Sequence, residues 1–213
     1  WKRIARFNGQ YGVLGDLGMH ALHVPFRAGW QPRNVRAILS NIIKERKDGR
    51  GGMVACDTWD NGILLIEATA GADGNTFLWT VKLQRMAPGH RNTWFTEVLG
   101  TKASARWSSE NPQVLEVLRY TPGTRQAWEH VQIGYEPAFK TVTGAIFEFG
   151  FGDAILQMWA AFVCELAEGK PRGKFAGCVT PAEAAASHRL FTAALESQAR
   201  ESTVRMQDII HHD

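Results

Sequence analysis

The 213-residue chain reads as an α+β protein: a large, predominantly antiparallel open sheet with helices on one face. Three observations predict it. Strand-like segments follow one another through the middle of the chain with only short turns between them. That favours antiparallel pairing over the long crossovers parallel strands need. At Asp153–Glu168 the apolar period changes to helical spacing. Thr180-Pro181-Ala182-Glu183 is then a capping box with proline at the first helical position, opening an Ala-rich segment.

Taken in order, residues 1–11 are basic and irregular and contain Asn8-Gly9, a turn signal. A helix carrying Asp16 follows, bent or ended by Pro25, and closes near Arg27-Ala28-Gly29. Gln31-Pro32-Arg33-Asn34 reads as a connector. In residues 35–43, Val35, Ala37, Leu39 and Asn41 share one side of a strand and Arg36, Ile38, Ser40 and Ile42 the other. Residues 44–52 form a charged loop with Asp48-Gly49 and Gly51-Gly52. Strands are expected at 61–70 and 76–86, joined by a turn over 70–75, and Pro88-Gly89-His90 ends the second. Further strands are expected at 94–99, 103–108, 114–120 and 127–133, separated by Gly100, Asn111-Pro112 and Pro122-Gly123. Phe147, Phe149 and Phe151 alternate as in a core strand, and Gly150-Phe151-Gly152 reads as helix entry rather than a nucleotide loop. The 153–168 helix stops at Gly169, and the last helix runs from Pro181 to about 197–201. A short strand over 203–206 closes the domain, expected to span residues 1–206, with 207–213 a polar, frayed tail.

The net charge of +3 is spread along the chain, with no Lys/Arg run suited to nucleic acid. No apolar run approaches the ~20 residues of a membrane helix, and no signal-peptide pattern opens the chain. Cys56, Cys164 and Cys178 fit no zinc spacing and point to a reducing, cytoplasmic setting. Trp1 rather than Met opens the chain, so the expectation is a piece of a longer protein.

Titratable side chains meet at a usable spacing in Gly12-Val13-Leu14-Gly15-Asp16-Leu17-Gly18-Met19-His20-Ala21-Leu22-His23. On an α-helix, at about 100° per residue, Asp16, His20 and His23 fall within roughly 60° of arc. Three readings are open. The bland one is a capping Asp with two satisfied histidines. A metal site of the form Asp-x3-His-x2-His is the second. The third is a proton-transfer dyad, in which Asp16 accepts the His20 ring N–H, fixes its tautomer and makes it a general acid/base. Trp59 and Asp60 combine an aromatic face with hydrogen-bonding groups that suit a sugar, or close a loop onto a strand. Arg27 and Trp30 either line the same pocket or serve in surface pairing and rim packing.

Gly15-Asp16-Leu17-Gly18-Met19-His20, a strand-rich middle and two closing helices resemble the C-terminal domain of the glucose–fructose oxidoreductase / inositol dehydrogenase (Gfo/Idh/MocA) family. Asp-Leu-Gly-Met-His is similar to that family's Asp-x-Gly-x-His signature. The run from Asn92-Thr93-Trp94 through Gly100-Thr101-Lys102-Ala103-Ser104 to Arg106 looks like its strand–GTKGS–strand hairpin. The resemblance spans nearly the whole chain and implies NAD(P)-dependent oxidation of a sugar or polyol hydroxyl. It assigns His20 as general acid/base and Asp16 as its partner and a substrate ligand; His23, Arg27, Trp30, Trp59 and Asp60 stand beside them, from the reading of the residues, as candidate substrate contacts. The family's Rossmann domain, with its Gly-rich loop and catalytic Lys, has no counterpart in these residues. NAD or NADP is therefore expected on that missing domain and not on this chain alone, which is expected to be inactive.

Two rivals stand beside this reading. One is a non-catalytic assembly module; the other is a metal-dependent sugar isomerase or hydrolase built on Asp16, His20 and His23. Ile63 and Leu65 oppose Leu64 and Ile66, and Phe77 and Trp79 oppose Leu78, so the strands are apolar on both sides. That predicts self-association, as a homodimer or tetramer, through the sheet face the helices leave open.

Overall fold

The computed structural model describes residues 1–71, 74–134, 136–144 and 146–209. In chain order these hold α1 (Ala5–Asn8), a π-helical turn (Leu14–Gly18), α2 (Met19–Ala28), β1 (Trp30–Ser40), β2 (Glu45–Lys47), β3 (Met53–Ala55), β4 (Asn61–Ala70) and β5 (Thr76–Gln84). They continue with β6 (Phe95–Leu99), β7 (Ala103–Ser108), β8 (Val114–Arg119), β9 (Glu129–Gln132), α3 (Phe151–Glu168), α4 (Pro181–Arg200), β10 (Val204–Arg205) and a 3-10 turn (Met206–Asp208). The chain divides into two units, Trp1–Pro88 with Val179–Asp213, and Gly89–Cys178.

The expected antiparallel sheet with helices forms, and its strands are hydrogen-bonded in two four-stranded sheets, one in each unit, and a two-stranded ribbon. In the first unit the order is β10-β1-β4-β5, every pairing antiparallel. Alternation places Val35, Ala37 and Leu39 of β1, Leu64, Ile66 and Ala68 of β4, and Trp79, Val81 and Leu83 of β5 on one buried face. Leu22 and Phe26 of α2 and Leu190, Phe191, Ala193 and Ala194 of α4 complete that core. Gly18 permits the close approach: a Cβ there would stand 2.8 Å from the Phe191 ring. The opposite face keeps Ile38, Ile63, Leu65 and Leu78 in solvent, Leu78 at 90% exposure.

Two local expectations change. Residues 31–34 belong to β1, and a register shift between Pro32 and Asn34 marks the bulge that lets a strand carry a proline. The charged loop contains a ribbon, β2 paired with β3, whose turn is tied by Asp48 Oδ1 accepting from the Arg50 and Gly52 N–H groups. As expected, α2 closes at Ala28, with Pro25 inside it and Gly29 at φ +99° as its cap. At the other end of the unit, Met206 and Ile209 are buried, and residues 210–213 of the expected tail lie outside the described residues.

The second unit orders its strands β6-β7-β8-β9, again all antiparallel. Arg106 forks onto Glu116 at 2.6 and 3.0 Å, stacks over Trp128, and His130 Nε2 lies 3.1 Å from the same carboxylate. Helix α3 starts two residues before the expected Asp153, whose carboxylate accepts the Gly150 N–H at 2.9 Å. Its apolar stripe is exposed, from 38% at Ile155 to 77% at Leu166. Phe147 and Phe151 form no core strand; they lie in a bend and at a helix start and are 69% and 76% exposed.

Candidate active site

The segment that carries Asp16 and His20 is not one uniform α-helix. Leu14–Gly18 form a π-helical turn that passes into α2 at Met19. Such turns are rare and gather at functional sites. Gly12, at φ +54°, starts the turn against Trp59, whose carbonyl accepts the Val13 N–H at 2.9 Å. A Cβ at Gly12 would meet that carbonyl oxygen at 2.6 Å.

Asp16 does not share a hydrogen bond with His20 among the described residues. Its Oδ1 accepts from Lys2 Nζ at 2.7 Å and its Oδ2 from Arg85 Nη2 at 2.6 Å. Charge-assisted bonds from two permanent cations outcompete a neutral imidazole N–H, and the π register alters the facing that α-helical spacing implied. Burial works to raise the Asp16 carboxyl, but Lys2 and Arg85 outweigh it and hold the group below the ordinary carboxylate range. The carboxylate is therefore a fixed negative charge. His20 is exposed in the first turn of α2, open to a ligand from solvent. His23 is half-buried, its Nδ1 2.9 Å from the His20 carbonyl oxygen. Burial lowers its pKa, the His20 carbonyl opposes that, and Arg27 reinforces it, so the ring favours the neutral form.

The remaining candidates are occupied with structure. Arg27 grips Glu183 through two bonds of 2.8 Å, joining the end of α2 to the start of α4. Trp30 makes edge contacts with Phe77 and Trp79, at 4.9 and 5.3 Å between ring centroids, on the rim of the core. Trp59 packs against the same core. Asp60 is only 1% exposed and accepts from the Ile42 and Ile43 N–H groups and from Arg3. It pins the chain leaving β1. The alternative that assigned loop closure to this segment, and pairing and rim packing to Arg27 and Trp30, fits what these side chains touch.

Sequence reasoning missed Lys2 and Arg85. Both lie far from Asp16 along the chain, so no local spacing announces them; the only hint was the basic character of residues 1–11. Among the described residues, no three His, Cys, Asp or Glu side chains converge to hold a metal ion. The described strands pair only antiparallel, and no strand–glycine turn–helix unit offers a dinucleotide cradle. No helix among the described residues is long and apolar enough to cross a membrane.

Solved structures give the frame for this geometry. Levoglucosan dehydrogenase in complex with NADH and L-sorbose matches over 98% of this chain and 54% of its own, with TM-score 0.76 and 25% identity. Its complex with NADH and levoglucosan matches at TM-score 0.74 and 26% identity, again over 98% and 54% of the two chains. An inositol dehydrogenase homologue complexed with NAD+ from Azotobacter vinelandii, 20% identical with TM-score 0.65 over 96% of this chain and 51% of its own, supports the fold alone. The chain spans about half the length of these structures. No family model matches the chain, and no curated protein matches it in sequence.

Proposed function

We propose that this chain is the substrate-binding and assembly domain of a longer NAD(P)-dependent oxidoreductase that acts on a hydroxyl of a sugar or polyol. The observation that carries the reading is the match of 98% of the chain to about half of a sugar dehydrogenase crystallised with NADH and its sugar. The Asp16–His20 segment, with its π turn and exposed imidazole, supplies the local chemistry.

In this reading His20 takes the proton of the substrate hydroxyl as the carbinol is oxidised. A general base in that place contributes typically 10²–10⁴-fold to the rate. Asp16, held ionised by Lys2 and Arg85, fixes one substrate hydroxyl. His23 lines the same helix face in its neutral form. The cofactor belongs to a part of the protein beyond these residues and supplies the redox chemistry. The exposed stripe of Ile38, Ile63, Leu65 and Leu78 supports self-association through the sheet face opposite the helices. Cys56, Cys164 and Cys178, which fit no zinc spacing, suit a cytoplasmic protein.

The test is to express the full-length gene product and follow reduction of NAD+ or NADP+ with a panel of sugars and polyols. Turnover with at least one of them is expected. A correctly folded full-length protein that reduces neither cofactor with any of them overturns the proposal.

A further inference from the structure

We propose that Arg85 is a positioning residue that holds Asp16 by Oδ2 and leaves Oδ1 as the oxygen a substrate hydroxyl reaches. The inference rests on the dehydrogenase reading above and adds to it the orientation of the carboxylate.

The two cations on Asp16 are unequal. The Arg85 side chain is 12% exposed and the Lys2 side chain 52%. Arg85 is anchored three times: its backbone N–H donates to the Asp60 carbonyl at 2.9 Å, Nη1 to the Lys2 carbonyl at 2.9 Å, and Nη2 to Asp16 Oδ2 at 2.6 Å. Asp60 is itself locked by the Ile42 and Ile43 amides. The Arg85 backbone therefore stands on the buried Asp60, and its guanidinium is oriented by the Lys2 carbonyl before any ligand arrives. Lys2 reaches Oδ1 as a point charge on a flexible stem in solvent. The ammonium end of the pair is in solvent, where water competes with Asp16 for its protons. A substrate O–H can replace the ammonium at Oδ1 and donate to the same oxygen, while Arg85 keeps the carboxylate from turning.

The charged groups facing Asp16 are Lys2 from the N-terminal segment and Arg85 from the end of β5, with His20 on its own helix; Arg3, beside Arg85, is paired with Asp60. Without Arg85, the burial of Asp16 is opposed only by Lys2, and its carboxyl titrates at higher pH.

The experiment compares Arg85→Met, Arg85→Lys and Lys2→Met in the full-length protein. It measures kcat, KM and the pH profile of kcat/KM, together with the Asp16 carboxyl titration by ¹³C NMR. Arg85→Met is expected to lower kcat by roughly 10–100-fold, the scale of a misplaced reacting group. It should also move the acid limb and the Asp16 titration upward. Arg85→Lys keeps the charge but loses the rigid planar fork that holds Asp16 and the Lys2 carbonyl in one geometry, so it should fall between Arg85→Met and wild type. Lys2→Met should stay within a few-fold of wild type in kcat. An Asp16 titration unmoved in Arg85→Met, or a kcat loss in Lys2→Met as large as in Arg85→Met, overturns the proposal. Should Arg85→Met fail to fold, Arg85→Lys decides, and wild-type values for both kcat and the titration overturn the proposal. A wild-type protein with no dehydrogenase activity defeats the functional reading and leaves the carboxyl titration to judge the clamp.

Discussion

Replacing Arg27 by Met would cut the clamp between α2 and α4 while leaving the hydrocarbon stem in place. Glu183 does two jobs. Its Oε2 accepts from the Thr180 N–H at 2.8 Å in the capping box, and both of its oxygens take the Arg27 fork. Arg27 first, with the Thr180 amide helping against burial, draws the Glu183 carboxyl down to about 2. A depression from 4.5 to about 2 would correspond to at most ~3 kcal/mol, and solvent at the helix start screens this to roughly 1–2 kcal/mol. Because the folded pKa lies below the unfolded one, the contribution is present in full above about 4.5 and is lost as pH falls toward about 2. Urea unfolding of wild type and Arg27→Met at several pH values measures it. A deficit of ~1–2 kcal/mol at neutral pH should shrink as pH falls through that window. Equal stability at pH 7, or a deficit that does not depend on pH, would refute the clamp. An Arg27→Met protein of full stability whose KM alone rises would instead return Arg27 to the substrate.

Two further outcomes are expected. Asp60→Ala strips the Ile42 and Ile43 amides and Arg3 of their acceptor and should cost ~3–5 kcal/mol in denaturant unfolding, as when one partner of a buried ion pair is removed; a loss under ~1 kcal/mol would mean water replaces the carboxylate. Placing Lys at both Leu65 and Leu78 should dissociate the protein, which light scattering reads as a fall from dimer or higher to monomer. For this chain alone, only a 23.7 kDa species from wild type at micromolar concentration would refute the open-face interface.

What was legible in the sequence is what short-range rules determine. The bounds of β4, Asn61–Ala70, came from an apolar run closed by turn residues, and those of α4 from a capping box that the structure forms in full. The C-caps at Gly29 and Gly169 follow from the αL preference of glycine. Spacing failed where a partner is remote. Lys2 and Arg85 stand 14 and 69 residues from Asp16, so the dyad drawn from i, i+4 spacing had no means of seeing the cations that take the carboxylate. A periodicity of 3.6 residues could not foresee the π turn at Leu14–Gly18. Spacing could not choose between pocket lining and pairing for Arg27, because its acceptor, Glu183, lies 156 residues away. Pro32 suggested a connector because proline disrupts strands, whereas the bulge at this point absorbs it.

The central claim is that His20 is the base of a sugar or polyol dehydrogenase, and steady-state kinetics of full-length His20→Ala on the best substrate test it most directly. The account predicts a kcat lower by about 10²–10⁴-fold, equivalent to roughly 3–5 kcal/mol of barrier, with KM within a few-fold of wild type. Added imidazole should recover part of the rate. A His20→Ala enzyme that turns over at the wild-type rate, on a substrate the wild type oxidises, would contradict it.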